Sequence, residues 1–143
     1  MKPLEMNRLL HSAGVAVYMS EHAAKYGIDP ETAYIVGLLH DIGYIGGRDG
    51  HENRGANLLA NLGVRADIAD AIRPHGNFGD IDPGSVSNLF LLLIEADTQI
   101  DGQGAFVGFD GRLEDVGRRY GYDSENYREA AANIAFARKY TRK

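Results

Sequence analysis

Apolar residues at helical spacing are the sequence feature that most narrows the fold of this chain. Segment 85–100 shows the pattern clearly, with apolar residues recurring three or four positions apart as on one buried helix face. These residues are Leu89, Leu92, Leu93, Ala96 and Ile100. No stretch alternates apolar and polar residues convincingly with the period of two that marks a half-buried strand. The sequence therefore predicts an all-α fold.

Glycine, proline and capping residues divide the chain into about six to seven predicted helices. The first helix (4–26) ends at Gly27, and the second (30–41) has Asp29 as its N-cap and Pro30 in its first turn. The other helices are predicted at 51–62, 65–73, 85–100, 113–120 and 124–140, with loops at 76–84 and 102–111. The pattern predicts one compact helical bundle.

The composition of the chain indicates a single globular domain. At 143 residues it is long enough to bury a core, and no linker or repeat divides it. We expect a motif-bearing core at about 8–101 and a helical C-terminal extension at about 102–143. The absence of Cys excludes disulfides, zinc–thiolate sites and thiol nucleophiles. A net charge of −5 argues against broad nucleic-acid binding.

No segment of the sequence predicts export or a membrane partner. Residues 1–5 lack the uninterrupted apolar core of a signal peptide. The longest apolar run, from Leu89 to Ile94, is far shorter than the about 20 residues of a membrane span. Because the chain also lacks Cys, we expect a cytoplasmic protein.

Ionisable residues interrupt the apolar faces of four predicted helices. They are His11 in the first helix, His40 and Asp41 in the second, His75 after the fourth, and Asp97 in the fifth. Burying so many ionisable groups is unfavourable unless their charges are compensated, and a bound cation would compensate them. The pattern therefore favours a metal site inside the bundle.

Two further histidines have less specific positions. His22 lies about 16 Å along the helix axis from His11, so both cannot bind one cluster, and we expect His22 to be a surface or packing residue. His51 is predicted at the N-terminus of a helix, where the helix dipole favours the neutral, metal-binding imidazole. A solvent-exposed loop histidine fits the same local pattern, so the residues alone leave His51 open.

The order of these residues resembles the HD-domain superfamily of metal-dependent phosphohydrolases. The middle of the pattern is Gly-Leu-Leu-His-Asp-Ile-Gly at 37–43, preceded by Arg8-x-x-His11 and followed by Asp97. The resemblance covers roughly residues 8 to 101. It implies a helical bundle in which one divalent metal is bound in the core by the matching residues: His11, His40, Asp41 and Asp97.

A subset of HD domains has two additional histidines between the His-Asp pair and the final Asp. His51 and His75 occupy that part of the sequence, so the resemblance implies a six-ligand, dinuclear site bridged by Asp41. It also implies catalytic roles for His40, Asp41 and Asp97. Imidazole and carboxylate ligands suit iron, manganese, nickel, cobalt or zinc, and the sequence does not choose among them.

The reaction that the resemblance implies is hydrolysis of a phosphate ester or anhydride by a metal-activated water. The substrate would be a nucleotide or another small phosphorylated metabolite. Substrate phosphate needs cationic partners, and Arg8, one turn before His11, is the first candidate. The next candidates are Arg48, Arg54 and Arg73, for which a solvated surface charge or a salt bridge is the favoured alternative. Glu52 and Asp101 can orient a ligand or hold a water.

Departures from related branches narrow this interpretation. Cyclic-di-nucleotide phosphodiesterases of the superfamily carry a Gly-Tyr-Pro signature and a Lys soon after the His-Asp pair. In this sequence Tyr44 stands at the position of that Lys, and Gly76 follows His75, so a cyclic dinucleotide is disfavoured as the substrate. The same six ligands also resemble mixed-valent di-iron oxygenases built on HD domains. A non-catalytic nucleotide-binding module is a third interpretation, which the intact ligand set disfavours.

The C-terminal part of the sequence, 104–143, contains no motif that indicates a chemical function. Phe106 and Phe109 lie near Arg112, and we expect these residues to pack against the domain. Covering the pocket and forming a homodimer contact are the alternatives for this segment.

Overall fold

The computed structural model describes residues 3–41, 84 and 86–141. The helices of this part of the chain are numbered here in order: α1 (Pro3–His22), α2 (Pro30–Leu39), α3 (Asn88–Asp97), α4 (Gly108–Tyr120) and α5 (Glu125–Tyr140). Within these ranges the only β-structure is an isolated antiparallel bridge between Ile100 and Phe106. The predicted all-α class is confirmed. The helices predicted at 51–62 and 65–73 lie outside the described residues.

The connection between α1 and α2 forms where the sequence predicts it. After α1 the chain tightens into a 3-10 turn, Ala23–Tyr26, and ends at Gly27, whose φ of 69° is left-handed. Asp29 then caps α2 by accepting the backbone N–H of Thr32 at 3.0 Å. The predicted first helix therefore has the right end, although its last turn is 3-10 rather than α-helical.

Helices α1 and α2 approach each other closely at a pair of small residues. A Cβ atom added to Gly37 would lie 2.4 Å from the Cα of Ala16, so only glycine fits at this crossing. Gly37 is three residues before His40, and Ala16 is five residues after His11. The crossing therefore brings the two histidine-bearing segments together.

Helix α3 contributes more residues to the buried apolar cluster than any other helix in the described part of the chain. Leu92, Leu93 and Ile94 have no exposed surface, and they belong to the same buried cluster as Val15 and Met19 of α1. The helix is shorter than the predicted 85–100. Ser87 caps its N-terminus by accepting the N–H of Phe90 at 3.1 Å, and the chain turns after Asp97.

The segment after α3 packs on α1 through glycine. Gly104 has a φ of 84°, and a Cβ atom added to Gly14 would lie 2.3 Å from the Gly104 carbonyl oxygen. The predicted loop at 102–111 was wrong in its last residues, because α4 begins at Gly108. No side chain caps that helix at Val107, so its start carries no local capping signal.

The last helix, α5, begins as predicted. The side chain of Ser124 accepts the N–H of Tyr127 at 3.1 Å and so caps the helix. None of the helices in the described part of the chain is both long and apolar enough to cross a membrane.

Candidate metal centre

Two histidines from different helices meet in the core. His11 lies on α1 and His40 caps the C-terminus of α2, and their ring centroids are 5.5 Å apart in an edge-on arrangement. His40 has no exposed surface and His11 is 5% exposed. Potential ligand atoms of His11, His40 and Asp41 all lie within 4.8 Å of one another.

A backbone carbonyl fixes the Nδ1 side of each imidazole. His11 Nδ1 lies 3.1 Å from the carbonyl oxygen of Asp101, and His40 Nδ1 lies 2.7 Å from that of Gly37. Because a carbonyl can only accept, each Nδ1 must donate its proton to that carbonyl. The Nε2 atom of each ring is therefore the nitrogen available to a metal ion.

Carboxylates meet both Nε2 atoms. Asp97 Oδ1, on α3, lies 2.6 Å from His11 Nε2 and 3.3 Å from His40 Nε2. Asp41 Oδ2 lies 3.2 Å from His40 Nε2. The side chains of Asp41 and Asp97 are 15% and 21% exposed. The carboxylate side chains are thus more exposed than the imidazole side chains, which are 7% exposed for His11 and fully buried for His40.

This charge pairing changes the pKa values of two of the groups. Burial alone would lower the pKa of His40. The nearby Asp41 and Asp97 carboxylates have the larger, opposite effect and raise that pKa well above its usual 6.5. Burial alone would raise the pKa of Asp97. Its interactions with His11 and His40 have the larger, opposite effect and lower that pKa well below 3.8. In the metal-free protein, the protonated imidazole of His40 therefore supplies positive charge beside these carboxylates.

The donor set fits a divalent transition-metal ion. Two imidazole nitrogens with fixed tautomers and two carboxylates suit iron, manganese, cobalt, nickel or zinc. His40 Nε2 is buried and makes no well-aligned hydrogen bond within the described part of the chain, so a metal ion can bind this nitrogen in place of its proton. The structure thus brings together four of the six predicted ligands, which are His11, His40, Asp41 and Asp97. Their role in binding metal stays a prediction.

Comparison with known proteins agrees with this geometry. The sequence pattern of the HD domain matches residues 8–134. The chain belongs to the HD-domain family. The resemblance of the sequence to this superfamily of metal-dependent phosphohydrolases is thereby confirmed, whereas the six-ligand type stays a prediction.

Curated relatives of this HD domain include Ribonuclease Y from two strains of Thermus thermophilus. Each is 34% identical over 93 residues, which cover 63% of this chain. The match spans 15% of the length of each relative. No solved structure matches the chain.

The remaining predicted site residues of the HD domain fall into two groups. Those outside the described residues are His51, His75, Arg48, Arg54, Arg73 and Glu52. The other two, Arg8 and Asp101, lie in the described part of the chain. Arg8 is half-buried on α1, one turn before His11. Asp101 contacts His11 through its main-chain carbonyl, whereas its side-chain Oδ1 accepts the N–H groups of Gln103 and Ala105 at 2.9 and 3.0 Å.

Glu95 is a buried carboxylate that sequence reasoning missed. It is 2% exposed, and its oxygens accept hydrogen bonds from Tyr18 at 2.6 Å and Tyr26 at 2.8 Å. Lys25 Nζ lies 2.7 Å from the same carboxylate. Burial and then the bond to Glu95 raise the pKa of Tyr18 above its ordinary value. A glutamate among the apolar residues of 89–96 was the sequence signal that could have identified it.

His22 lies outside the candidate metal centre, as predicted. Its Nδ1 donates to the Tyr18 carbonyl at 2.8 Å, and its ring stacks on that of Tyr18 at 3.9 Å. Phe106 also stacks on Tyr18, at 5.7 Å, and with His22 it lines a mostly apolar groove of about 660 Å³ along α1. Phe109 packs against the guanidinium of Arg138 at 4.9 Å.

Proposed function

We propose that this HD domain is a metal-dependent phosphohydrolase that cleaves a phosphate ester or anhydride of a nucleotide or another small phosphorylated metabolite. One observation carries the proposal: the Nε2 atoms of His11 and His40 converge on Asp97 Oδ1, with their Nδ1 atoms already bonded to carbonyls. Imidazoles fixed in this way are prepared for metal binding rather than for proton transfer to the protein surface.

The choice of substrate class rests on the relatives and on charge. The Ribonuclease Y relatives are named for action on RNA, which supports a phosphoester of the nucleotide type. The net charge of −5 favours a small substrate over a long nucleic acid, whose phosphates a negatively charged protein repels.

In this proposal the residues of the centre have separate tasks. His11, His40, Asp41 and Asp97 would hold the ion, which when bound supplies a water of lowered pKa and polarises a phosphoryl oxygen. Of the two carboxylates, Asp41 is proposed to accept the proton of an attacking water, because hydrogen bonds from His11 and His40 hold the pKa of Asp97 well below its ordinary value. Arg8 is placed one turn before His11 and is proposed to neutralise substrate phosphate.

We also propose that His51 and His75, together with Asp41, would hold a second ion. The support for it is the order of these histidines in the sequence. Ions about 3.5–4 Å apart can stabilise both the attacking and the leaving oxygen of a phosphoryl group.

Activity measurements with matched histidine variants test this function. The protein is purified without chelators, loaded with Mn²⁺, Fe²⁺, Co²⁺ or Ni²⁺, and assayed for phosphate or nucleotide release from nucleotides, sugar phosphates and short RNA. We expect turnover that depends on added metal. Losing a residue that only supports a metal ligand typically lowers activity roughly 10–100-fold, and we expect His40→Ala, which removes a ligand itself, to lower turnover by more than that. His22→Ala is the control and should keep wild-type turnover, because His22 lies outside the centre.

Two results would contradict the proposal. Turnover that survives both His40→Ala and complete metal removal would show that the reaction does not use this centre. Oxygen consumption by the iron-loaded protein, with no phosphate release from any member of the panel, would assign the centre to an oxygenase instead.

A further inference from the structure

Asp115 is a buried carboxylate on α4, in the part of the chain for which the sequence indicated no chemistry. It is 7% exposed. Its Oδ2 accepts the backbone N–H of Gly102 at 3.2 Å and also Nη1 of Arg112 at 3.2 Å. Its Oδ1 accepts Nε of Arg119 at 3.1 Å. The flanking guanidinium groups compensate the buried charge, while one oxygen is directed at the loop after α3.

The peptide group that Asp115 contacts is the same one that holds His11. The Gly102 N–H and the Asp101 carbonyl belong to one planar, trans peptide unit, so they point in opposite directions. The N–H end donates to Asp115, and the oxygen end accepts from Nδ1 of His11 at 3.1 Å. A single rigid plane thus links a carboxylate on α4 to an imidazole on α1.

The surroundings of this peptide hold it in one orientation. A Cβ atom added to Gly102 would lie 2.0 Å from Nη2 of Arg119, so the guanidinium packs directly on the glycine. The Asp101 oxygen also accepts the N–H of Gly104 at 3.1 Å. Rotating the peptide plane would break hydrogen bonds at both of its ends.

We propose that Asp115 is a positioning residue for the metal centre, acting on His11 through the 101–102 peptide. A charged acceptor on the N–H end polarises the peptide, which makes the carbonyl a stronger acceptor for the imidazole proton. His11 is thereby held with its Nε2 directed at the metal position. In many metal sites a carboxylate that accepts the other ring N–H of the histidine has the same effect directly. The inference rests on the metal site of the proposed function.

Variants of Asp115 separate positioning from general support of α4. Asp115→Ala removes the acceptor for Gly102, whereas Asp115→Asn keeps a neutral oxygen that can still accept that N–H. The control is Asp110→Ala, which removes an exposed ion pair between α4 and Arg138 that does not involve the loop. Co²⁺ affinity is measured by titration calorimetry. In metal-free protein, ¹⁵N-edited NMR then reports whether the His11 Nδ1–H stays protected from solvent exchange.

We expect Asp115→Ala to weaken Co²⁺ binding about tenfold and to remove protection of the His11 Nδ1–H, with Asp115→Asn intermediate and Asp110→Ala like wild type. Wild-type affinity and protection in whichever Asp115 variants fold would overturn the proposal, and so would an equal loss in Asp110→Ala. If wild-type protein binds no Co²⁺, the proposed function fails. The NMR comparison still decides the positioning role in that case.

Discussion

His11 Nε2 and Asp97 Oδ1 lie 2.6 Å apart although the two residues are separated by 86 positions in the sequence. The contact joins α1 to α3 inside the bundle and places an imidazole against a carboxylate at the candidate metal centre. We therefore expect the pair to stabilise the metal-free fold and to orient His11 Nε2 toward the proposed metal position.

The metal-free protein should lose stability as the pH rises above about 6.5. The carboxylates of Asp41 and Asp97 raise the pKa of His40, so its stabilising charge is fully present below 6.5 and is lost as the pH rises through the folded-state pKa. For one proton the limiting slope is about 1.4 kcal/mol per pH unit. Urea unfolding in chelator across this range measures it, and His40→Ala should flatten the profile.

The acid side of the same profile depends on Asp97. Its pKa is lowered by the hydrogen bonds from His11 and His40, so its contribution is present above 3.8 and is lost as the pH falls through the lower folded-state pKa. On the alkaline side of the profile, a free energy of unfolding that stays unchanged well above pH 6.5 would contradict the pairing of His40 with the Asp41 and Asp97 carboxylates.

Removing the Glu95 carboxylate should destabilise the fold without affecting metal binding. Glu95→Ala leaves the buried Tyr26 hydroxyl without its acceptor, at a cost of about 1–3 kcal/mol. Tyr26→Phe, which removes the donor as well as its need for a partner, should cost less. Chemical unfolding of the two variants gives the comparison. A Glu95→Ala protein as stable as wild type would show that the carboxylate is not needed.

Adding one methyl group at Gly14 should disturb the packing of the loop on α1. The new Cβ would lie 2.3 Å from the Gly104 carbonyl oxygen, and overpacking of this kind costs about 1–3 kcal/mol, partly offset by the higher helix propensity of alanine. Thermal unfolding of Gly14→Ala measures the effect. Ser20→Ala in the same helix is the control and should stay within about 0.5 kcal/mol of wild type, because Ser20 is partly exposed and its hydroxyl donates to the Val17 carbonyl in a solvent-exposed hydrogen bond.

Local features of the sequence predicted much of the fold. The stop at Gly27, the cap at Asp29 and the start of the last helix near Ser124 depend on neighbouring residues only, and all three are confirmed. The start of α4 at Gly108 was missed because it has no capping side chain and two glycines in its first turn.

The meeting of His11, His40 and Asp97 was predictable for a different reason. Each lies on or beside an apolar face, and such faces must pack together in one small bundle. The Asp101 carbonyl that orients His11 was not predictable, because it depends on how a loop 90 positions away packs its backbone on α1. The Asp115 contact with that loop has the same origin.

Metal content is the measurement that tests the central claim most directly. Elemental analysis of protein purified without chelators should find at least about one transition-metal ion per chain in wild type and in His22→Ala, and essentially none in His40→Ala. A wild-type value near two would support His51 and His75 as further ligands. A metal-free wild-type protein that also fails to bind added Mn²⁺ or Co²⁺, or a His40→Ala variant with wild-type metal content, would contradict the assignment of this centre.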